Sequence, residues 1–181
     1  GRVFTIDPKV FPTGKSNPKN FIYFVDTKSN DSLINLFPYQ DNHSCIIASN
    51  KGKGFVVDLK NIISMQKKGK QLFNLKNNDY VFKVLNNDKE YIACVSGSSK
   101  LLIFKVTELP ILNKGVGVQL QKIRSDNIIE DISNFDLKEG LTWKSKKGTY
   151  NEKNITFWIG KRAQTGKKVP KKFNKNLKFN L

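Results

Sequence analysis

The chain has 181 residues, 38% of them hydrophobic, which is enough for a buried core in one domain or in a row of small modules. Thirty-two Lys and Arg against fifteen Asp and Glu leave a formal charge of +17, a surplus that attracts polyanions whatever the fold. Nucleic acid therefore leads the partner classes. A lipid-surface protein would carry an amphipathic helix with a broad apolar face, and none is visible; nor is there a signal peptide or an apolar run long enough to cross a bilayer.

In chain order, short β-branched and aromatic runs recur between clusters of Asn, Asp, Gly, Ser and Lys. They are "RVFTI" (2–6), "FIYFV" (21–25), "SLINLF" (32–37), "SCIIAS" (44–49), "GFVVDL" (54–59), "QLFNL" (71–75), "YVFKVL" (80–85), "YIACVS" (91–96) and "KLLIFKV" (100–106). Each is predicted to be a strand, so the fold class is all-β. Cys45 and Cys94 lie inside two of these runs, as expected for buried, reduced thiols in a cytosolic protein. Residues 144–181 hold 12 basic side chains and 1 acidic, against 20 and 14 in residues 1–143. That last stretch is either a solvated, partly disordered tail or the end of the folded array, and in both states it can bind phosphate. The sole methionine is Met65, so the chain is expected to be a piece of a longer protein.

The pattern repeats. "SCIIASNKGKGFVVDLKNIISMQKKGKQLFNL" aligns with "YIACVSGSSKLLIFKVTELPILNKGVGVQLQKI" at an offset of about 47 residues. Both run as strand, polar turn, strand, a short "KNII" or "TELP" segment, a basic glycine loop and another strand. A third copy begins mid-module at "GRVFTIDPKVFPTGK", and a fourth is "LTWKSKKGTYNEKNITFWIGKRAQTGK". The loops fall near Gly14, Gly69, Gly117 and Gly166, a period of roughly 50 residues, in the range of four-stranded propeller-like blades. One such unit alone leaves an apolar face bare, so neighbours must stack.

If each loop sits at the same edge of its blade, its cations form one track rather than scattered surface charge. The track residues are Lys67, Lys68 and Lys70, Lys114, and Lys161 and Arg162. Lys51, Lys53, Lys122, Arg124, Lys146, Lys147, Lys167 and Lys168 complete the candidate phosphate contacts. The competing reading is that glycine serves a turn with positive φ and lysine serves solubility.

Enzymatic and metal chemistry find little support. His43 is the only histidine, and Asp41 and Ser44 beside it lie in a turn with no nucleophile-elbow pattern. "GKG" (52–54) lacks the Lys-Ser/Thr of a phosphate-binding loop and reads as a hairpin turn. Two cysteines and one histidine do not make a four-ligand zinc site, so neither metal nor cofactor is expected.

The repeat, with "NKGVGVQL" (113–120) and "GKRAQTGK" (160–167), resembles the C-terminal DNA-binding domain of bacterial type IIA topoisomerase A subunits, the β-pinwheel of DNA gyrase and topoisomerase IV. The resemblance covers nearly the whole chain. It implies blades over residues 1–143, the first incomplete, and a last partial blade with a basic tail over 144–181. Gyrase carries the box Gln-Arg-Arg-Gly-Gly-Lys-Gly; here Gln66, Lys67, Lys68 and Gly69 match in kind, but the second and final glycines are missing. The degenerate box, and a "VPKKF" tail (169–173) that keeps only the general character of the family's ending, point to the topoisomerase IV kind, which bends duplex DNA without gyrase-type wrapping. The family's strand-breaking tyrosine lies on another domain, so Tyr23, Tyr39, Tyr80, Tyr91 and Tyr150 are expected to be strand or core aromatics. The resemblance further implies a monomeric, cytoplasmic, nucleoid-associated module, whose partners in the full enzyme are the A-subunit dimer and the ATP-hydrolysing B subunit.

Three other readings stay open, the first being the gyrase domain that wraps DNA for supercoiling. An RNA-binding β protein would stack single strands on Phe55, Phe73 and Phe104, although their alternation with polar residues suits core packing better. A propeller-like interaction scaffold would seek a protein with an acidic face.

Overall fold

The computed structural model describes residues 1–12, 14, 20–28, 31–76 and 78–181. Among these there is no α-helix, only twelve strands and five 3₁₀ turns. The strands are β1 (Arg2–Val3), β2 (Ser44–Ser49), β3 (Lys53–Asp58), β4 (Lys70–Gln71), β5 (Val81–Asn86) and β6 (Tyr91–Ser96). They continue with β7 (Lys100–Lys105), β8 (Val118–Gln119), β9 (Ile129–Phe135), β10 (Leu141–Ser145), β11 (Gly148–Glu152) and β12 (Lys167–Lys168).

Two antiparallel four-stranded blades, ordered β5-β2-β3-β8 and β12-β7-β6-β9, stand between the two-stranded pairs β1-β4 and β10-β11. The topology has one rule. A hairpin such as β2-β3 is followed by a 3₁₀ turn (Leu59–Asn61), and the chain then crosses to the preceding blade and lays down a two-residue strand there. It returns to its own blade as a long strand against the first hairpin strand. Thus β4 closes β1, β8 closes β3 and β12 closes β7, while β5 and β9 return. Both return strands carry a register shift at the same place, opposite Ala48/Ser49 and Val95/Ser96.

Each full blade is buried on both faces, which is why its strands read as continuous apolar runs rather than alternating ones. Ile46, Ala48 and Val56 face Ile92, Cys94, Leu102 and Phe104 across one interface. From the other face of the first blade, Cys45, Ile47, Phe55 and Val57 meet Leu59, Leu72 and Phe73. Tyr91, Val95, Leu101 and Ile103 pack on Leu141, Trp143, Phe173 and Phe179. Each buried side chain of this size contributes about 1.5–3 kcal/mol, so the stack supplies what one blade lacks.

The basic end of the chain is folded, not a loose tail. Phe179 is buried against Phe173, which in turn packs on Trp143, both with ring centroids 5.3 Å apart. Phe179 N–H donates to the buried Asp131 carboxylate (2.9 Å), Lys144 N–H donates to Phe179 O (2.8 Å), and Trp143 Nε1 donates to Lys172 O (3.2 Å). Asp131 also pairs with Lys83 of β5 (3.1 Å), so one carboxylate ties the tail to both full blades.

Three expectations are corrected. Residues 21–25 are no strand: the Asn20 side chain accepts from Ile22 N–H and caps a 3₁₀ turn, Phe21–Tyr23. Residues 32–37 form no ladder; Asn35 Nδ2 donates to Val84 O at the margin of β5, but no backbone pairing follows. Tyr23, Tyr39 and Tyr80 are exposed, leaving Tyr91 in the core and Tyr150 half-buried on Trp143.

Candidate nucleic-acid interface

The four loop glycines share one backbone conformation, with φ of 69° at Gly14, 62° at Gly69, 65° at Gly117 and 80° at Gly166. A β-carbon would sit 2.5 Å from Val3 O at Gly69, 2.7 Å from Gly54 O at Gly117 and 2.5 Å from Leu101 O at Gly166. These carbonyls belong to equivalent residues of the preceding hairpin. Glycine is therefore required twice, for positive φ and for close approach where the chain crosses between blades. "SMQKKGKQL" is this crossing, not a turn between neighbouring strands of one blade.

Each crossing is fixed on its way out and on its way back. Val56 N–H donates to Pro110 O (3.0 Å) and Leu112 N–H to Val56 O (2.8 Å) before Gly117 turns the chain into β8. Glutamines lock the exit. Gln71 Nε2 donates to Phe73 O (2.7 Å), Gln119 Nε2 to Gln121 O (2.8 Å), and Gln121 Nε2 to Thr165 O (2.7 Å).

Successive loops are also bonded to one another. Gly115 N–H donates to Leu72 O (3.0 Å) and Asn74 N–H to Gly115 O (2.7 Å), joining the Lys114 loop to the exit of the Lys67–Lys68 loop. One module on, Ala163 N–H donates to Leu120 O (2.9 Å) and Lys122 N–H to Gln164 O (3.0 Å). Loops 66–70, 113–117 and 161–166 thus form one hydrogen-bonded run along the stack. Lys15, on the fourth loop, lies outside the described residues.

On this run Lys67, Lys68, Lys114, Lys122, Arg124, Lys161, Lys167 and Lys168 are exposed. Lys51, Lys122 and Arg124 meet Gln119, Ser125 and Asn127 around a shallow depression of about 310 Å³. Among the described residues, the ion pairs join Lys83 to Asp131, Lys89 to Asp136 and Glu139, Lys105 to Glu90, and Lys178 to Glu130. None uses a candidate cation; the carboxylates at the run accept from backbone instead, Glu108 Oε2 from Arg162 N–H (2.8 Å) and Asp79 Oδ1 from Lys51 N–H (3.2 Å).

Three candidates occupy different settings. Lys70 is half-buried, its Nζ donating to Asn61 O (2.6 Å). Arg162 is half-buried, with Nη1 on Gln119 O (2.7 Å) and Nε on Glu108 O (3.1 Å), and it clamps two modules together. Lys53, also half-buried, opens β3 opposite Gln119. Lys146 and Lys147 stand exposed at the β10–β11 turn, the place in their module that Lys51 holds in its own. Sequence reasoning missed Arg2, whose guanidinium spans Lys68 O (2.8 Å) and Gly69 O (3.3 Å) and so positions the first loop. It also missed the glutamine locks, although "QL" at 71–72 and 119–120 was the visible signal.

Phe55, Phe73 and Phe104 are fully buried and are not available to stack bases. Ser44 Oγ accepts from Asn87 Nδ2 (2.9 Å), and His43 lies beside Asp58 and Lys60. No helix among the described residues is long and apolar enough to cross a membrane.

The stacked blades, each closed by its neighbour and edged with basic glycine loops, define a propeller-type modular β protein. The chain belongs to the DNA gyrase C-terminal domain, beta-propeller family, whose model matches residues 43–88 and 90–135, just over half of the chain. Over 99% of its length it is 36% identical to the A subunit of DNA topoisomerase 4 from Rickettsia bellii, and 29% identical to that from Caulobacter vibrioides. It spans about a quarter of those relatives, 24% of each. In fold it is similar to the E. coli ParC C-terminal domain (TM-score 0.84, 20% identity, 95% of this chain and 74% of that one). It is also similar to a DNA gyrase A C-terminal domain (TM-score 0.66, 18% identity, 88% and 55%).

Proposed function

We propose that this chain is the duplex-DNA-binding and DNA-bending module of a topoisomerase IV-type A subunit. The observation that supports it best is the hydrogen-bonded run of loops whose exposed cations have no carboxylate partner. Each lysine neutralises one phosphate and releases its counterions, which gives affinity without base readout. If six engage at once, log K falls with log salt at a slope of about −5, since each contact contributes roughly −0.9 on B-DNA. Seating a duplex on the run costs on the order of 1–6 kcal/mol of bending for a 20–30 base-pair site, which the phosphate contacts offset. The module itself carries no catalytic group. It presents a bent segment to the cleavage core of a full-length type II topoisomerase, acting in the cytoplasm on chromosomal DNA with the A-subunit dimer and an ATP-hydrolysing B subunit.

The test is binding to a duplex of about 40 base pairs and to its single strand across a salt series, with Lys67→Ala/Lys68→Ala/Lys114→Ala as the paired variant. These three side chains are exposed, whereas Lys70 supports the loop. The expected result is duplex preference and a slope shallower by about 3 in the variant. Single-strand preference, or indifference to the variant, overturns the reading. The likeness to the gyrase domain supports a second reading, in which DNA is wrapped. Closing a nicked circle on the bound protein separates the two: bending leaves the linking number unchanged, and wrapping shifts it.

A further inference from the structure

Phosphate contacts account for the lysines of the three crossing loops but not for their apolar side chains. Each crossing, taken from its 3₁₀ turn to its glycine, exposes two large ones to water: Ile63 (44% exposed) and Met65 (66%), Ile111 (62%) and Val116 (53%), and Phe157 (56%) and Ile159 (37%). Scattered surface hydrophobics are ordinary. Three of these recur at a matched place. Thr5 N–H donates to Ser64 O just before Met65, Val56 N–H donates to Pro110 O just before Ile111, and Ile103 bridges Ile159. Met65, Ile111 and Ile159 are thus one position in three modules, held by backbone pairing to the preceding blade. Phe157 is held too, edge-on to Trp158 (centroids 5.4 Å apart) with Lys167 Nζ 4.2 Å from its ring centroid.

We infer that these side chains are apolar wedges that enter a groove of the bound duplex and set its bend, an inference that rests on the DNA-binding reading above. The occupant follows from what surrounds them. Lys67 and Lys68 lie within three residues of Met65, Lys114 lies three from Ile111, and Lys161 two from Ile159. A partner must therefore offer anionic and apolar contacts side by side, once per blade. Duplex DNA does so, with phosphates flanking the sugar faces and base-step edges of each groove. Apolar side chains pressed against a base step unstack it and kink the duplex, and here pairing to a rigid blade has fixed their backbones in advance.

The experiment compares the parent chain with Met65→Ser/Ile111→Ser/Ile159→Ser, which keeps every cation, on a duplex labelled at both ends. Affinity and salt slope are measured with the end-to-end distance by energy transfer, and Ile111→Ser alone serves as the mildest variant. The expected result is an unchanged salt slope with the bend cut to about half or less in the triple variant and reduced in the single one. Equal bending by parent and both variants, or a parent that binds without bending, overturns the inference alone. A parent that shows no salt-dependent duplex binding overturns the functional reading and this inference with it.

Discussion

Replacing Gly117 by alanine tests whether close approach between blades, rather than turn geometry, selects glycine in the crossing loops. Gly117 and Gly14 have nearly the same φ, 65° and 69°, so alanine at either adopts a left-handed conformation at about 1 kcal/mol. Their surroundings differ. Among the described residues nothing lies within 4 Å of a β-carbon at Gly14, whereas at Gly117 it meets Gly54 O at 2.7 Å and Gly54 N at 3.0 Å. To clear the Gly54 backbone, β8 must lift from β3, which weakens the pairing of Lys53 with Gln119 and of Gly54 with Val118. Each ladder hydrogen bond has a net worth of about 0.5–1.5 kcal/mol, so Gly117→Ala is expected to cost about 2–4 kcal/mol in total against about 1 for Gly14→Ala. Urea unfolding followed by Trp fluorescence measures both. Equal costs would refute the close-approach argument and leave only the turn.

Phe179→Ala empties a fully buried ring site, with an expected cost of about 3–5 kcal/mol. Hydrogen exchange should quicken at Lys144 N–H, which Phe179 O accepts, while β2–β5 amides keep their protection; uniform quickening would deny the tail its local role. Arg162→Lys loses the fork on Glu108 O and Gln119 O and should destabilise by about 1–3 kcal/mol, whereas exposed Lys161→Ala should stay within about 0.5, both read from melting curves. Desolvation pushes the Cys45 thiol up to about 11 and Cys94 higher still, with Asp131 adding to the latter. The unfolded thiols ionise first, so this contribution to stability is whole below the ordinary thiol range and declines as pH rises toward about 11. Thiol labelling at pH 8 should be slow in the native protein and take up two equivalents in denaturant; rapid native labelling would contradict the burial.

The blade strands were legible because they are sandwiched: six-residue apolar runs such as Ser44–Ser49 and Tyr91–Ser96 have no other use in a basic chain. The loop glycines were legible from spacing, and all four have positive φ. The strand exchange was hidden, since β4, β8 and β12 are two residues long and carry no period. Ile129–Phe135 was missed as a strand because Glu130, Asp131 and Asn134 resemble a loop, yet Asp131 is buried to hold the Phe179 N–H and Lys83. Phe173 and Phe179 stand alone among lysines, and only their distant partner, Trp143, reveals them as core. Of the candidate cations, sequence placed Lys67, Lys68, Lys114 and Lys161 on exposed loops; that Arg162 and Lys70 hold carbonyls instead required coordinates.

Because the closing strand of every blade is spelled by the next repeat, units of sequence and units of structure are out of phase. A chain severed neatly between two repeats would leave a blade without its outermost strand, and a duplicated repeat would enter the stack only by intercepting a crossing already in use. Lengthening or shortening such an array therefore edits two blades at a time. The β10-β11 pair, which gains no third strand among the described residues, is packed instead by Phe173 and Phe179, two aromatic residues amid a run of lysines.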